Sequence, residues 1–212
     1  MFQCRAPIPH DARYARLRPS LDDYDFPSAV AKQVKVDDLR TIALLRADIE
    51  SLGTGSEGGA TLRYIVPWGP ASVKPGSVDL VVSQAVLQEM PNGRVRSALR
   101  DAIGATASWL RPGGIASHQI DLGMYGLEPW NIHWSWSDAV WKTVRGRREN
   151  FVNREPLSTY LSLFRQAGFS IIAAETEQER GVDDASLNRR FRALDREERE
   201  ARSVLLIVQK NY

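Results

Sequence analysis

Two predicted strands near the middle of the chain, separated by one helical pattern, give the clearest prediction. Residues 78–83 form a nearly continuous apolar run that ends in small polar residues, as in a strand covered on both faces. Apolar residues then recur at helical spacing from Pro91 to Leu110, and a Pro-Gly-Gly turn precedes the next strand at 115–121. This strand–helix–strand order predicts two parallel strands, and ligands of parallel sheets bind beyond the carboxyl ends of the strands.

Similar patterns on both sides extend this crossover to a whole α/β domain. Helices are predicted at residues 36–52, 157–167 and 187–202, and strands at 61–66, 169–174 and 204–209. Because helices and strands alternate, the sequence predicts a sheet with helices packed on it. Residues 31–212 are interpreted as this single domain, and the proline-rich residues 1–30 as an irregular segment.

An aromatic stretch interrupts the alternation at about residues 122–156. It contains Tyr125, Trp130, Trp134, Trp136 and Trp141. Two interpretations are open: a lid that closes over a substrate, or the packing of a long insertion. Arg154, near the end of the stretch, is a candidate for binding an anionic acceptor group or for a salt bridge at a helix cap.

The composition is that of an ordinary soluble globular protein, and it disfavours several classes of binding partner. The 212 residues carry 28 basic and 26 acidic side chains, a net charge of +2, which disfavours a nucleic-acid partner. Cys4 is the only cysteine and the three histidines are scattered, so neither a disulfide nor a metal site is expected. Without a signal sequence or an apolar run of about 18 residues, we expect no membrane association and a cytoplasmic location.

Three local signatures resemble the class I S-adenosylmethionine-dependent methyltransferases. Residues 77–90 resemble the segment around the fourth strand of that fold, residues 109–114 resemble its Pro-Gly-Gly turn, and residues 160–169 resemble its later helix ending in Ala-Gly-Phe. Residues 117–121 and 153–154 look like an uncharacterised bacterial subgroup of these domains. The resemblance implies a Rossmann-like, mostly parallel sheet with an antiparallel C-terminal strand, and S-adenosylmethionine as the cofactor.

The chain departs from this family on its N-terminal side. Members of the family carry a first strand followed by a glycine-rich loop that holds the cofactor, and the sequence shows no such unit. Residues 53–58 spell Gly-x-Gly-x-x-Gly, but they follow a predicted helix and precede a predicted strand, which is typical of a linker. The resemblance therefore implies an N-terminally incomplete domain in which strand 78–83 lacks its usual neighbour.

An unpaired strand 78–83 would be prone to aggregation, so its edge needs an explanation. Three explanations are open. Strand 61–66 pairs directly with strand 78–83; residues 1–30 or a second copy of the chain cover the edge; or the sequence is a truncated product of a longer gene. Truncation is the preferred interpretation. A homo-oligomer is expected if the edge is otherwise exposed.

Candidate cofactor residues follow from the expected position of the strand ends. Ser83, Gln84 and Ala85 come just after a parallel strand, where small side chains let a cofactor approach the backbone; tight packing of a strand–helix turn is the alternative. Trp68 is a candidate for stacking on the adenine ring or for ordinary packing.

Methyl transfer needs mainly an aligned donor and acceptor, and a general base is optional. Asp121 or His133 is the candidate acceptor-side base. His118 lies three residues before Asp121, so the two side chains point to opposite faces of a strand. His118 is therefore interpreted as a structural, hydrogen-bonded histidine.

The leading hypothesis is an S-adenosylmethionine-dependent methyltransferase with an unknown acceptor. The alternative is a catalytically inactive, methyltransferase-like remnant that acts as an interaction or scaffold module. Binding of the cofactor discriminates between them, because the remnant no longer needs to bind it.

Overall fold

A four-stranded sheet organises the part of the chain that the structure, a computed structural model, describes: residues 68–93, 97–148 and 151–212. Its strands are β1 (Val78–Gln84), β2 (Leu110–Asp121), β3 (Phe169–Gln178) and β4 (Ala201–Lys210). The predicted irregular segment 1–30, helix 36–52, linker 53–58 and strand 61–66 all lie outside the described residues.

The strands lie in the order β1-β2-β4-β3. β1 and β2 are parallel, with Ser83 beside His118 and Gln84 beside Gln119, because a helix carries the chain back between them. β4 is antiparallel to both β2 and β3. The predicted parallel pair and the predicted antiparallel C-terminal strand are therefore confirmed. Within the described residues the sheet is mixed, since only the β1–β2 pairing is parallel.

The α-helices of the described residues are α1 (Ala98–Trp109), α2 (Asp138–Arg145), α3 (Leu157–Gln166), α4 (Arg189–Arg192) and α5 (Arg196–Glu200). α1 packs on β2, and α3 packs on β3 and β4. Burying the apolar faces of α1 and α3 against the sheet forms the core, whose fully buried side chains include Leu99, Ile103, Ile120, Tyr160 and Phe164. The prediction of a helix at 157–167 is confirmed, and Gly168 follows it with φ of 87°, as expected of a helix C-cap glycine.

The start of α1 differs from the sequence prediction, which placed it at Pro91. Asn92 and Ser97 instead form an isolated antiparallel bridge, and the Ser97 hydroxyl donates to Asn92 Oδ1 at 2.6 Å. The same hydroxyl accepts a hydrogen bond from the backbone N–H of Arg100 and so caps the helix. The cap therefore decides where the helix begins, although the helical spacing of apolar residues starts earlier.

The predicted helix at 187–202 is wrong, because two capping residues divide it. Asn188 accepts a hydrogen bond from the Arg190 N–H, and Asp195 accepts one from the Glu198 N–H, so α4 and α5 start separately. The chain then turns directly into β4 at Ala201.

β2 begins at Leu110, earlier than the predicted residue 115, because the Pro-Gly-Gly turn does not end strand pairing. Gly113 adopts φ of 76°, a conformation that favours glycine, and the register of β1 and β2 shifts at this point. A Cβ atom on Gly114 would lie 3.2 Å from the Asp79 carbonyl oxygen. The same Cβ atom would lie 2.9 Å from the Arg111 carbonyl oxygen, so a side chain at residue 114 would crowd both the turn and the neighbouring strand.

The face of β1 that points away from α1 carries exposed apolar side chains. Leu80 is 56% and Val82 is 67% exposed. Among the residues that the structure describes, no helix combines the length and the hydrophobicity needed to cross a bilayer.

Candidate functional site

The carboxyl ends of β1 and β2 meet at one edge of the sheet. The pairing of Gln84 with Gln119 continues in a hydrogen bond from the Ala85 N–H to the Gln119 carbonyl, 2.9 Å long. Asp121 ends β2 two residues further along the same direction. We define the carboxyl rim as Ser83, Gln84, Ala85 and Asp121, which the structure brings to the same end of two parallel strands, as the sequence predicts.

Ala85 has an unusual backbone conformation. Its φ of 52° makes it the only described residue other than glycine with a positive φ. An alanine in this region is strained by about 1 kcal/mol, because its Cβ approaches the neighbouring carbonyl oxygen. The chain leaves β1 abruptly here, and Gln84 and Ala85 are both exposed at the rim. Strain at a ligand-side strand end is common at functional sites.

The side chain of Ser83 is directed to the helix-packed side of the sheet. Its hydroxyl lies 2.7 Å from His118 Nδ1, and the His118 ring is 5.0 Å from the Phe164 ring. Burial lowers the pKa of His118 to about 4, so the imidazole is neutral at pH 7. The interpretation of His118 as a structural, hydrogen-bonded histidine is confirmed, and Ser83 presents its backbone rather than its hydroxyl at the rim.

Asp121 lies on the opposite face of β2 and borders a small recess. Its Oδ1 accepts a hydrogen bond of 2.8 Å from the Gly123 N–H, which fixes the carboxylate at the end of the strand. The recess has a volume of about 160 Å³, and Tyr125, Trp130 and Arg202 also line it. The carboxylate is half-buried and remains next to open space, where a proton could be transferred to it.

Gln88 joins the segment after β1 to the segment after β2, a role that no pattern in the sequence predicts. Its Nε2 donates to the Tyr125 hydroxyl at 2.8 Å, and its backbone carbonyl accepts from the Asn153 N–H. Although Gln88 is only 1% exposed, its Oε1 has no hydrogen-bond partner among the described residues. A buried carbonyl without a donor is costly, and such a group often marks a ligand or water position.

Tyr125 was predicted only as part of the aromatic stretch. Its pKa is raised, chiefly because burial disfavours the phenolate, while the hydrogen bond from Gln88 acts in the other direction. The negative charges of Asp121 and Glu89 also raise this pKa. The phenol is therefore protonated at neutral pH, beside the carboxylate of the rim.

His133, the second candidate base, lies in a different environment. It is fully buried, with its ring 6.0 Å from the Trp134 ring and 5.9 Å from the Trp141 ring. Burial, helped by the positive charge of Arg154, lowers its pKa to about 3. Neither ring nitrogen has a hydrogen-bond partner among the described residues. His133 is also not among the residues that line the recess beside Asp121.

Trp68, the candidate for adenine stacking, lies at the opposite end of the sheet. Its ring packs edge-on against Trp109, 5.6 Å away, and Trp109 directly precedes the first residue of β2. β1 separates this end from the rim by roughly 20 Å, since each strand residue advances about 3.3 Å. Trp68 therefore packs where the strands begin, and its position gives no support to a role beside Ser83, Gln84 and Ala85.

A continuous cation–aromatic stack runs through the aromatic stretch and into α4. Its members, in spatial order, are Arg148, Phe151, Trp141, Arg154, Phe191 and Trp134. Successive centres lie between 4.8 and 5.6 Å apart, and the stacked rings of Trp134 and Phe191 are nearly parallel, with an interplanar angle of 7°. Each such contact contributes about 0.5–2 kcal/mol, more where it is desolvated.

Arg154 is the centre of this stack, and its side chain is only 3% exposed. It donates to Asp138 Oδ1 at 3.1 Å and to the Trp136 carbonyl at 2.7 Å. Burial lowers its pKa, although Asp138 acts against that effect. Of the two predicted roles for Arg154, the structure shows the salt bridge, with the first residue of α2.

An open cleft of about 590 Å³ lies beside the stack. Its lining comes from α2 and from the segments before α1 and α3, and includes Asn92, Trp141, Arg145, Phe151, Asn153 and Glu155. We call it the anion cleft. Asn153 connects it to the rim, because its Nδ2 donates to the carbonyls of Leu87 and Met90 just after β1.

No family model and no curated protein match this chain. Among solved structures, a SAM-dependent methyltransferase of Methanosarcina mazei is 16% identical, with a TM-score of 0.50 over 80% of this chain and 77% of that one. A second from Mesorhizobium loti is 16% identical, with a TM-score of 0.43 over 76% of this chain and 74% of that one.

A chain from the Haloferax volcanii complex of the Trm112 methyltransferase activator with a methyltransferase is 17% identical, with a TM-score of 0.40 over 66% of this chain. The match spans 57% of that chain's length. The strand order and the Methanosarcina mazei likeness together show that the chain has a Rossmann-like α/β fold, as that SAM-dependent methyltransferase has.

Proposed function

We propose that this protein is an S-adenosylmethionine-dependent methyltransferase that binds the methyl donor at the carboxyl rim. The observation that carries the proposal is the parallel pairing of β1 with β2, which places Ser83, Gln84, Ala85 and Asp121 at one end of the sheet. Ligands of parallel sheets bind at this end. The likeness in fold to the SAM-dependent methyltransferase of Methanosarcina mazei also supports the proposal of methyl transfer.

The residues at the rim fit such a ligand. Gln84 and Ala85 are exposed, and the small Ala85 side chain leaves the backbone open to contact. Nearby, the buried Gln88 Oε1 is an acceptor without a donor among the described residues, and an N–H group of the cofactor would satisfy it. We infer that the backbone of residues 83–85 and the Gln88 carboxamide hold the cofactor.

The cofactor, when held by these residues, would supply a sulfonium methyl group, and the acceptor heteroatom would take this methyl group while the electron pair of the carbon–sulfur bond stayed on sulfur. The acceptor must then lose its proton. We propose that Asp121 receives it, since the carboxylate is held at the rim beside a recess. His133 remains a prediction from sequence, and its burial and low pKa give it no support as a base.

A calorimetric titration of the full chain with S-adenosylmethionine and S-adenosylhomocysteine tests the proposal. We expect binding heat with both ligands. Ala85→Leu, which places a larger side chain at the rim, should weaken binding about tenfold or more. Ala71→Leu makes the same change at an exposed position near the opposite end of the sheet and should leave affinity within twofold.

The alternative function, a scaffold that no longer binds the donor, makes the opposite prediction. Absence of heat at millimolar concentrations of either ligand would overturn the proposal in favour of the scaffold. Equal losses in Ala85→Leu and Ala71→Leu would show that the ligand binds elsewhere than at the rim.

A further inference from the structure

We propose that the anion cleft binds a small organic anion, a carboxylate or a phosphate, and that this anion is the methyl acceptor. The second part of this inference rests on the proposed function, whereas binding itself does not. The cleft's volume of about 590 Å³ is within the range of small-molecule sites.

The charges around the cleft favour an anion. Arg145 and Glu155 are the charged residues among those that line it. Arg148, Arg154 and Arg190 contact the lining side chains of Phe151, Trp141 and Glu155, and Asp138 contacts Arg154. Glu155 pairs with Arg190 at 2.6 Å, and Asp138 pairs with Arg154, so both negative charges are compensated. Arg145 and Arg148 take part in none of the ion pairs formed among the described residues.

Arg145 is placed to contact a ligand. It is the last residue of α2, where Trp141 lies one turn earlier, so the two side chains line the same side of the cleft. The Trp141 ring, which contacts Phe151 and Arg154, borders the cleft beside Arg145. A guanidinium binds anionic oxygens through charge-assisted hydrogen bonds.

The cleft is also connected to the rim. Both polar atoms of the Asn153 side chain, which lines the cleft, form hydrogen bonds. Its amide nitrogen donates to the Leu87 and Met90 carbonyls. Its Oδ1 accepts from the Tyr160 hydroxyl and from the Glu155 N–H. Leu87 and Met90 follow Ala85 within one short turn. An acceptor in the cleft would thus lie beside the segment that leaves the donor site.

Binding of 4-hydroxybenzoate and of its neutral isostere 4-hydroxybenzamide to the full chain tests the charge preference, with inorganic phosphate as a second anionic probe. Affinity is measured by calorimetry. The ligand is located by the shift of the Trp141 indole N–H resonance, which the variant Trp141→Phe identifies. We expect the benzoate to bind about tenfold more tightly than the benzamide, with an advantage that falls as salt increases.

Arg145→Gln should abolish the preference for the benzoate. Lys142→Gln is the matched control, because Lys142 is an exposed cation of the same helix that does not line the cleft. It should keep the preference. Because the comparison of charged with neutral ligand also uses the unaltered protein, the test does not depend on any variant folding.

Each outcome has one meaning. Equal affinity for benzoate and benzamide, equal loss in the two variants, or no binding of either anion at 10 mM overturns the inference. If S-adenosylhomocysteine binds and the anions do not, the inference alone fails. If the anions bind and S-adenosylhomocysteine does not, the proposed function fails while the anion site stands.

Discussion

The carboxyl rim and the cation–aromatic stack differ in what holds them in place. The rim is positioned by backbone pairing, such as Gln84 beside Gln119, and its side chains are small or exposed. The stack is held by interlocked large side chains from separate segments, and two of its polar atoms, Trp134 Nε1 and Arg154 Nε, are buried without partners among the described residues. We therefore expect substitutions in the stack to cause the larger changes in stability, and substitutions at the rim to change ligand binding.

Truncation of the stack gives the largest expected effect. Trp134 is fully buried and stacks on Phe191 at 4.8 Å, so Trp134→Ala should lower the free energy of unfolding by about 3–5 kcal/mol. Trp68→Ala is the control, because Trp68 is 50% exposed, and about 1 kcal/mol is expected there. Urea unfolding followed by circular dichroism measures both. Similar losses would show that the stack is not a stabilising unit.

Acid should destabilise the stack through His133. Its pKa is about 3 when folded and 6.5 when exposed, so between these values only the unfolded chain binds the proton and stability falls as pH falls. From pH 7 to 4.5 we expect a loss of about 2 kcal/mol from His133 and a similar loss from His118, whose folded pKa is about 4. His133→Phe should therefore remove about half of the histidine-dependent loss.

Unfolding midpoints at several pH values measure this effect. His133→Phe should be at least as stable as the unaltered protein at pH 7, because both ring nitrogens of His133 lack partners among the described residues. Identical pH profiles for the two proteins would mean that His133 is not buried as a neutral imidazole.

At the rim, unlike in the stack, we expect one substitution to raise the free energy of unfolding. Ala85→Gly relieves the strain of a positive φ and should raise the free energy of unfolding by about 0.5–1 kcal/mol. The same substitution inside α1, Ala107→Gly, should lower it by about 1 kcal/mol, since glycine is a poor helix former. Thermal unfolding of the two variants supplies the comparison, and a shared sign would refute the assigned conformation of Ala85.

Asp121→Asn has the smallest expected effect on stability, about 0.5 kcal/mol or less, because the asparagine oxygen can still accept from the Gly123 N–H. If Asp121 receives the acceptor's proton, transfer of labelled methyl groups to a small-molecule extract should nevertheless fall about 100-fold. Asp79→Asn, at the opposite end of β1, is the matched control and should keep full activity. Equal rates for all three proteins would remove Asp121 from the mechanism.

Much of the sheet was predictable because its signals are local. The apolar run of β1, the spacing of α3 and the glycine after α3 each act within a few residues. The errors arose where a single side chain decided between alternatives. Ser97 delayed the start of α1, and Asn188 and Asp195 divided one charged segment into two helices.

The candidate site was predictable only in part. Ser83, Gln84, Ala85 and Asp121 share one end of the sheet, as the strand directions required. Trp68 packs at the other end, and His133 is buried, because neither position follows from strand direction. The connecting roles of Gln88 and Asn153 beside the rim were not predicted, since they depend on hydrogen bonds to segments distant in sequence.

The order of elements and the parallel direction of β1 and β2 followed from the amino-acid sequence, because periodicity and turn residues act over short stretches of chain. The stacking of Arg148, Phe151, Trp141 and Arg154, and the position of Arg145 at an open cleft beside them, could be seen only in the folded protein. Such contacts depend on which side chains the folded backbone brings within about 5 Å, and no local pattern in the chain encodes that distance.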